Sequence, residues 1–328
     1  MLRQAELQNI QAFIAGQTAF TVIAHIAPDG DTLGSSLALL CLLRGLHKQA
    51  EVVCAEPVPQ VYACLPFAGG VKLPRDAAAY PAVISVDCAD MARMGDALAL
   101  FQKAAVTCNI DHHPTNDAYA AYNAVDASAA ATGELIYSLA RAVGVAVSAD
   151  MANCLYAALM TDTGCFAYSN TTPDTLRIAG ELLACGANGY DLNLRMFRSM
   201  PYAKLRLLGV AIANCRLYCD GQLGITTLRC EEVLSCGARE EDREGIVDHV
   251  RDIDTVEIAV FLRESEGEPN TYTVSLRSKH WADVGGMAAR RGGGGHARAA
   301  GYTSRGSFEE VYGDALAGAK EILNWKES

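Results

Sequence analysis

Short apolar runs alternate with amphipathic stretches along the first half of the chain. The apolar runs are rich in Val and Ile, which is typical of strands buried in a sheet. Four of them are predicted to be strands, at residues 21–27, 51–55, 82–87 and 106–111. Helical spacing predicts helices at residues 33–46, 96–103, 133–143, 150–160 and 173–184. Strand–helix alternation at this rhythm predicts an open α/β fold with parallel strands and right-handed crossovers.

A different pattern follows the Cys-Gly-Ala-Asn-Gly break at residues 185–189. A predicted helix at 202–213 leads to predicted strands at 222–228, 256–262 and 271–276, and a helix at 308–325 closes the chain. We therefore expect a parallel-sheet domain over residues 1–186, a hinge and helical connector over 187–213, and a smaller α+β domain over 214–328.

Composition supports two folded domains and excludes several classes of protein. The 328 residues are 51% hydrophobic and 20% charged, which is the profile of a globular chain. A net charge of −11 argues against a protein that coats long nucleic acid or an anionic membrane. No apolar run approaches the ~18 residues of a membrane helix. The twelve cysteines contain no CxxC pair, so we expect a reducing, cytoplasmic location.

Acidic and imidazole side chains follow three of the predicted strands. His25, Asp29 and Asp31 follow the first strand, Asp87 ends the third, Asp111, His112 and His113 end the fourth, and Asp162 ends a later helix. The carboxyl ends of parallel strands share one edge of a sheet, so we expect these side chains to converge. One such Asp is usually a helix cap, but three strand ends of this kind are hard to explain as caps. Gly34 and Ser35 are expected to let the next helix N-terminus approach an anion.

Electrostatics points to metal ions at this edge. The carboxylates of Asp29, Asp31, Asp87 and Asp162 cannot all stay ionised at close range without counter-charge. Two divalent cations would supply it. Oxygen and imidazole ligands without thiolates suit Mn²⁺ or Mg²⁺ better than a structural Zn²⁺, and Co²⁺ is a further candidate. Two such ions about 3.5–4 Å apart are the usual apparatus for in-line displacement at a phosphoester.

A second candidate site lies in the C-terminal domain. Glycines 292–295 precede His296, and we expect a loop whose N–H groups and imidazole close on a phosphate or ribose. A flexible linker is the alternative. The neighbouring basic residues are Arg277, Lys279, Arg290, Arg291 and Arg298, opposed in sequence only by Asp283. This patch is suited to a few phosphates, so we expect it to hold the substrate while the first domain cuts.

The motifs resemble those of a known family. His-x-x-Pro-Asp-Gly-Asp-x-x-Gly-Ser from His25, Val-Asp at Asp87, Asp-His-His from Asp111 and Thr-Asp-Thr-Gly around Asp162 resemble the four motifs of DHH phosphoesterases. The sequences Leu-Arg-Ser at Arg277 and Gly-Gly-Gly-His at residues 293–296 resemble the accompanying DHHA1 domain. The resemblance covers nearly the whole chain and is greatest to the NrnA-type branch of oligoribonucleases and pAp phosphatases.

The resemblance implies a role for each motif residue. One cation would be held by His25, Asp29 and Asp87, and a second by Asp31, Asp87, His112 and Asp162, with Asp87 bridging. His113 would donate a hydrogen bond or a proton at the scissile phosphate, and Asp111 would orient an imidazole. The implied substrate-binding residues are Arg277, Ser278, Gly293, Gly294, Gly295 and His296.

We therefore expect a Mn²⁺-dependent phosphohydrolase that acts on small nucleotides. It would release 5′-mononucleotides from short oligoribonucleotides, or remove the 3′-phosphate of 3′-phosphoadenosine 5′-phosphate (pAp), without binding long nucleic acid or a membrane. Three alternatives stay open: a phosphodiesterase for cyclic dinucleotides or their linear products, a pyrophosphatase, and a nucleotide-binding module without turnover. The sequence also leaves a homodimer open.

Overall fold

The chain folds into two compact units. The computed structural model describes residues 4–325, and the units are Met1–Ser199 and Met200–Ser328. The division falls inside the segment 187–213 that we expect to connect the domains. The finer sequence-based boundaries stay a prediction.

A parallel sheet organises unit 1. Its strands are β1 (Ala19–Ala24), β2 (Gln49–Cys54), β3 (Ala82–Val86), β4 (Val106–Asp111) and β5 (Tyr122–Val125), in the spatial order β2-β1-β3-β4-β5. Every neighbouring pair is parallel, which confirms the predicted fold class. Because β1, β3 and β4 lie side by side in the centre, the three strands that precede the acidic and imidazole residues end next to one another.

Helices cover both faces of this sheet. The α-helices in the described part of unit 1 are α1 (Gln4–Gly16), α2 (Gly30–Gly45), α3 (Leu98–Lys103), α4 (Thr132–Ala142), α5 (Ala149–Asp162), α6 (Pro173–Ala184) and α7 (Gly189–Asn193). Shorter turns have 3-10 geometry at Gln60–Tyr62, Ala68–Gly70, Pro74–Asp76 and Met91–Ala97, and π geometry at Leu194–Arg198. Val22 and Ile84 pack under α2 and α5, whereas Ile23 and Val83 pack on the opposite face with Phe101 of α3. Burial on both faces explains why the strands read as continuous apolar runs.

Most predicted bounds shift by one to three residues in the structure, and two of these shifts have a clear local cause. Strand β1 ends at Ala24 rather than at residue 27, because Ala27 takes a left-handed backbone (φ +50°) as the chain turns toward α2. The predicted helix 96–103 is α-helical only from Leu98, since the preceding turn is broken by Gly95 at φ +53°.

Helices α2 and α5 pack closely at Gly34. A Cβ atom at this position would lie 2.4 Å from the Cys154 carbonyl oxygen and 3.1 Å from Ala158 Cβ. Gly34 therefore lets two helix backbones approach, which corrects the expectation that it opens the helix N-terminus to an anion. The N-terminus itself is capped by Asp29, whose side chain accepts the N–H groups of Asp31 and Thr32.

Unit 2 is built on a mixed sheet. Its strands are β6 (Arg216–Tyr218), β7 (Leu223–Leu228), β8 (Ile258–Glu264), β9 (Thr271–Ser278), β10 (Gly294–His296) and β11 (Ala299–Arg305), in the order β10-β11-β9-β8-β7-β6. Its helices are α8 (Tyr202–Asn214), α9 (Cys230–Cys236), α10 (Ile246–Arg251), α11 (Val284–Ala289) and α12 (Phe308–Ile322), with a 3-10 turn at Glu240–Arg243. Only the β7–β8 pair is parallel among these strands.

Each face of the unit 2 sheet has its own core. Val260 and Leu262 of β8 pack with residues of α11 and α12 on one face. Ala259 and Phe261 pack with residues of α8, α9 and α10 on the other. Strand β9 continues this second face with polar residues, which is where the basic side chains discussed below lie.

The glycine run forms a β-hairpin. Gly292 occupies a turn at φ +75°, and β10 then pairs with β11 so that His296 lies opposite Ala299. A Cβ at Gly293 would lie 2.2 Å from the Gly301 carbonyl oxygen, and Gly295 has φ +135°. The segment is therefore neither the open loop nor the flexible linker considered from the sequence, because the hairpin backbone itself requires two of its glycines.

None of the helices within residues 4–325 has the length and apolar character needed to cross a membrane.

We predict opposite stability effects for two glycine-to-alanine changes in helices of unit 1. Gly34→Ala should lower the free energy of unfolding by about 1–3 kcal/mol, because its Cβ meets the α5 backbone. Gly180→Ala on α6 has no neighbour within 4 Å and should raise it by about 0.5–1 kcal/mol through helix propensity. Urea unfolding followed by circular dichroism measures both; equal stability of the two variants would contradict the close-packing role.

Candidate metal centre

The carboxyl ends of β1, β3 and β4 bring the predicted metal-binding side chains together. Three overlapping groups have ligand atoms within 4.8 Å of one another: His25 with Asp29 and Asp87; Asp31 with His112 and Asp162; and Asp87 with His112 and His113. All six residues expected to bind metal, and His113, thus lie at one site. The edge of the sheet, rather than any one motif, creates this cluster.

The first group is arranged around His25. Its Nε2 lies 3.6 Å from Asp29 Oδ2 and 3.5 Å from Asp87 Oδ2. Its Nδ1 lies 2.7 Å from the Ile26 carbonyl oxygen, so a proton on Nδ1 is donated there and Nε2 faces the carboxylates. Asp29 uses Oδ1 to cap α2 and Oδ2 to face the imidazole. The helix-cap role and the metal-ligand role of this residue are therefore compatible.

The second group is arranged around His112. Its Nε2 lies 3.1 Å from Asp162 Oδ2 and 3.8 Å from Asp31 Oδ2. Its Nδ1 faces the Ala129 carbonyl oxygen at 3.2 Å. Both imidazoles thus direct Nδ1 at a backbone carbonyl and Nε2 at carboxylates, which is the orientation that metal-binding histidines usually adopt.

Asp87 joins the two groups. Its Oδ2 faces His25 at 3.5 Å, and its Oδ1 faces His112 at 3.5 Å. The hydroxyl of Thr132 also donates to Oδ1 at 2.8 Å. The Asp87 backbone has φ +61°, an uncommon conformation for a residue other than glycine. In this backbone conformation, one carboxylate oxygen of Asp87 faces each of the two groups.

Asp31 is buried and held by donors from α4. The N–H groups of Thr132 and Gly133 donate to its two oxygens at 2.7 and 3.1 Å, and the Ser35 hydroxyl donates at 2.7 Å. The first turn of α4 therefore stabilises negative charge at the bottom of the site through its free N–H groups.

His113 is oriented differently from the other two imidazoles. Its Nδ1 lies 2.7 Å from Asp111 Oδ1, and the Asn116 amide donates to Asp111 Oδ2 at 2.6 Å. The side chain of His113 is 37% exposed, whereas that of Asp111 is fully buried. Asp111 thus engages Nδ1 of the His113 ring, and Nε2 is the nitrogen on the opposite edge.

The carboxylates and imidazoles shift one another's pKa values strongly. Burial away from water raises the pKa of Asp31 well above its usual range, and neighbouring Asp87 and Asp162 raise it further. Burial alone would lower the pKa of His25, but hydrogen bonds to Asp29 and Asp87 outweigh it and raise that pKa to about 10. These shifts are typical of a cluster with an excess of negative charge.

The donor set fits divalent cations. The site offers carboxylate oxygens and two oriented Nε2 atoms and, among residues 4–325, no cysteine belongs to the groups described. Hard oxygen ligands combined with imidazole suit Mn²⁺ and Mg²⁺. The arrangement in two groups around one shared carboxylate is compatible with more than one ion.

The residues expected to bind substrate in unit 2 differ in burial and in the partners that they already have within the fold. The Ser278 hydroxyl is buried and donates to the Ala282 carbonyl at 2.6 Å, so it is committed within the fold. Gly294 has no atom within 4 Å of an added Cβ and no left-handed φ, so packing does not explain this glycine. His296 is exposed beside it in β10.

Acidic residues that are distant in sequence offset part of the positive charge of the basic patch. Arg277 lies 3.3 Å from Asp248, and Arg291 forms a two-pronged ion pair with Asp314. Lys279 donates to the Ile253 carbonyl at 2.6 Å. Asp283 is the one acidic residue within the sequence 277–298, but the fold adds Asp248 and Asp314 from other elements.

Sequence reasoning missed three residues around the metal cluster. Thr132 binds Asp87, Asn116 binds Asp111, and the guanidinium of Arg93 lies 3.3 Å from His25 Nδ1. Asn116 could have been proposed as a partner of Asp111 from the sequence, since it lies three residues after Asp-His-His in the same loop. Thr132 and Arg93 reach the site only through the packing of later elements.

Comparisons with known proteins match both units. The DHH family, N-terminal domain, matches residues 19–159, and the DHHA1 domain matches residues 231–324. The bifunctional oligoribonuclease and PAP phosphatase NrnA of Thermus thermophilus is 34% identical over 92% of this chain and 89% of its own length. The protein of the same name from Bacillus subtilis is 27% identical over 84% and 86%. The crystal structure of an exopolyphosphatase-related protein from Bacteroides fragilis has a TM-score of 0.90 at 24% identity, covers 99% of this chain and 98% of its own, and has the same fold.

We predict that Mn²⁺ binding depends on Asp87 more than on a nearby exposed carboxylate. Asp87→Asn should weaken Mn²⁺ binding to the metal-free protein by more than about tenfold, because one oxygen of each ligand group loses its charge. Asp117→Asn removes an exposed carboxylate from the loop after His113 and should leave binding unchanged. Titration calorimetry checks both, and equal affinities of the two variants would contradict the shared role of Asp87.

Proposed function

Because the chain belongs to the DHH–DHHA1 phosphoesterase family, in the branch of the NrnA proteins, we propose that it is a metal-dependent phosphohydrolase of small nucleotides. Its substrates would be short oligoribonucleotides, cut to 5′-mononucleotides, and pAp, which would lose its 3′-phosphate. The names of the relatives, 34% and 27% identical, support this substrate class. The observation that carries the proposal is the position of Asp87 after β3, where its two oxygens lie 3.5 Å from His25 of one ligand group and 3.5 Å from His112 of the other.

The ligand groups supply the charge that phosphoester hydrolysis needs. His25, Asp29 and Asp87 would hold one divalent cation, and Asp31, Asp87, His112 and Asp162 a second. Bound there, the cations would neutralise phosphate charge and acidify a water for in-line attack. Mn²⁺ is the proposed metal, and Mg²⁺ and Co²⁺ suit the same donors.

The contacts of His113 support a role at the departing oxygen. Asp111 accepts its Nδ1–H, and the pKa of His113 is raised chiefly by this hydrogen bond, with burial opposing it. The opposite nitrogen, Nε2, is not engaged by Asp111, and the side chain is 37% exposed. We therefore assign to His113 the donation of a hydrogen bond or proton to the leaving oxygen, held in orientation by Asp111 and Asn116.

Unit 2 would bind the nucleotide. Packing within the chain does not require a glycine at position 294, so its lack of a side chain would let a ligand approach the backbone. His296 and Arg277 supply hydrogen-bond donors on the same sheet. Backbone N–H groups and a guanidinium suit phosphate and sugar oxygens. Ser278 would contribute through its backbone position, since its hydroxyl is already donated to Ala282.

A substrate panel under one metal condition tests the proposed reaction. With Mn²⁺ present, we expect turnover of pAp and of two- to five-residue RNA, and we expect EDTA to abolish it because the charge of the ligand groups is then uncompensated. Product analysis by liquid chromatography is the measurement. Cyclic di-AMP, inorganic pyrophosphate and short DNA complete the panel. Exclusive turnover of cyclic di-AMP or pyrophosphate, or no metal-dependent turnover at all, would refute the proposal in favour of the corresponding alternative.

A change at His113 should separate chemistry from metal binding. His113→Gln should lower kcat on RNA dinucleotides by about 10²–10⁴-fold, since donation to the leaving oxygen is lost. Mn²⁺ affinity should stay within about threefold of the parent, because His113 Nδ1 is hydrogen-bonded to Asp111 at 2.7 Å and lies further, at 3.7 Å, from Asp87. Asp87→Asn is the matched comparison and should lose both properties. A His113→Gln protein with parental kcat would remove this residue from the reaction.

A further inference from the structure

An open pocket of about 600 Å³ lies on the polar part of the unit 2 sheet. It is lined by Glu240, Glu241, Arg243, Glu244, Gly245, Val247, Phe261, Arg263, Ser275 and Arg277. A volume in this range suits a ligand of mononucleotide size. Apart from Arg277, these residues have no role in the function proposed above.

The strand register brings two arginines to either side of one serine. Phe261 of β8 lies opposite Ser275 of β9, Arg263 lies two residues further along β8, and Arg277 lies two residues further along β9 in the opposite sense. All four side chains share a face of the sheet, because strand residues alternate. Each arginine starts roughly 7 Å along the sheet from Ser275, within reach of its long side chain.

These arginines have few carboxylate partners. Arg263 is 3.9 Å from Glu240, too far for a hydrogen bond, and Arg243 shares that same carboxylate at 3.0 Å. Arg277 shares Asp248 with Arg251. Arg263 and Arg277 therefore each share their nearest carboxylate with a second guanidinium group, although Arg251 also pairs with Asp252.

The lining of the pocket contains a buried donor that is not satisfied within the described residues. The Arg243 side chain is 2% exposed, and its Nε has no hydrogen-bond partner in the described part of the protein. A buried donor without a partner is rare, so the Arg243 Nε indicates a missing acceptor.

The rim determines which acceptor fits. Glu241 is turned toward Arg239 at 2.6 Å, but Glu240 and Glu244 also line the pocket. With three glutamates beside three arginines, the lining carries no net formal charge, so it offers little long-range attraction to a polyanion. It suits a ligand with one phosphate and several hydroxyl or amino donors, which is the chemistry of a terminal nucleotide.

We propose that this pocket is a phosphate subsite for the terminal phosphomonoester of the substrate, bound by Arg263 and Arg277 on either side of Ser275. Arg243, which also lines the pocket, would contribute its buried Nε as a further donor to the phosphate. The inference rests on the proposed nucleotide substrates, and it extends that function by making a terminal phosphate a determinant of specificity.

Steady-state kinetics of three RNA dinucleotides tests the subsite. The substrates are ApA, its 5′-phosphorylated form pApA and its 3′-phosphorylated form ApAp. In the parent protein, one of the phosphorylated forms should have the lower KM. Arg263→Gln should raise that KM by about tenfold with kcat little changed, so that the KM advantage over ApA is lost. Arg263→Lys keeps the charge without the two-pronged geometry and should be intermediate.

Arg305→Gln is the matched control. Arg305 is 79% exposed on β11 and pairs with Glu268, so the same loss of charge in unit 2 should leave the KM ratios at the parental values. Unchanged ratios in Arg263→Gln, or equal losses in Arg305→Gln, would overturn the proposal.

A binding measurement keeps this test separate from the proposed reaction. In EDTA, 5′-AMP should bind the parent more tightly than adenosine does, and Arg263→Gln should remove about tenfold of this difference. If the parent hydrolyses none of the dinucleotides, the proposed function fails and this titration decides the subsite alone. Equal binding of 5′-AMP and adenosine to the parent would then overturn it.

Discussion

Repulsion among carboxylates crowded at one edge of a parallel sheet is the constraint on which the rest of unit 1 depends. The fold opposes it from several directions. The first turn of α4 directs N–H groups at Asp31, the Thr132 hydroxyl binds Asp87, and His25 and His112 place Nε2 among the acidic oxygens. These donors hold the geometry without cancelling the charge, so the cluster retains its demand for cations.

Much of the architecture follows from local sequence. The strand 106–111 and the helix 173–184 have the bounds predicted for them, the first because its apolar run is buried and the second because Thr172 and Pro173 form a strong helix start. The metal cluster could also be predicted from the sequence, since the carboxyl ends of parallel strands lie at a common edge of the sheet. Three motifs far apart in sequence therefore predict one site.

The remaining features depend on contacts that the sequence does not encode locally. Strand β5 is short and half-exposed, and β10 consists of two glycines and a histidine, so neither has an apolar signature. The pairing of Arg277 with Asp248 arises because α10 packs beside β9. Thr132 reaches Asp87 because α4 lies over the end of β3. Such partners emerge only once the elements are assembled.

The missing side chain at Gly34 has a consequence for ion selection. Helix α2 carries Asp31 in its first turn, and α5 ends at Asp162. Two carboxylates of the candidate ligand group of Asp31, His112 and Asp162 therefore lie on helices whose backbones are in close contact at Gly34. Widening this group would require prising the two helices apart through a close-packed core. Bound at this site, a larger ion such as Ca²⁺, which prefers longer bonds and more oxygens, would meet that resistance.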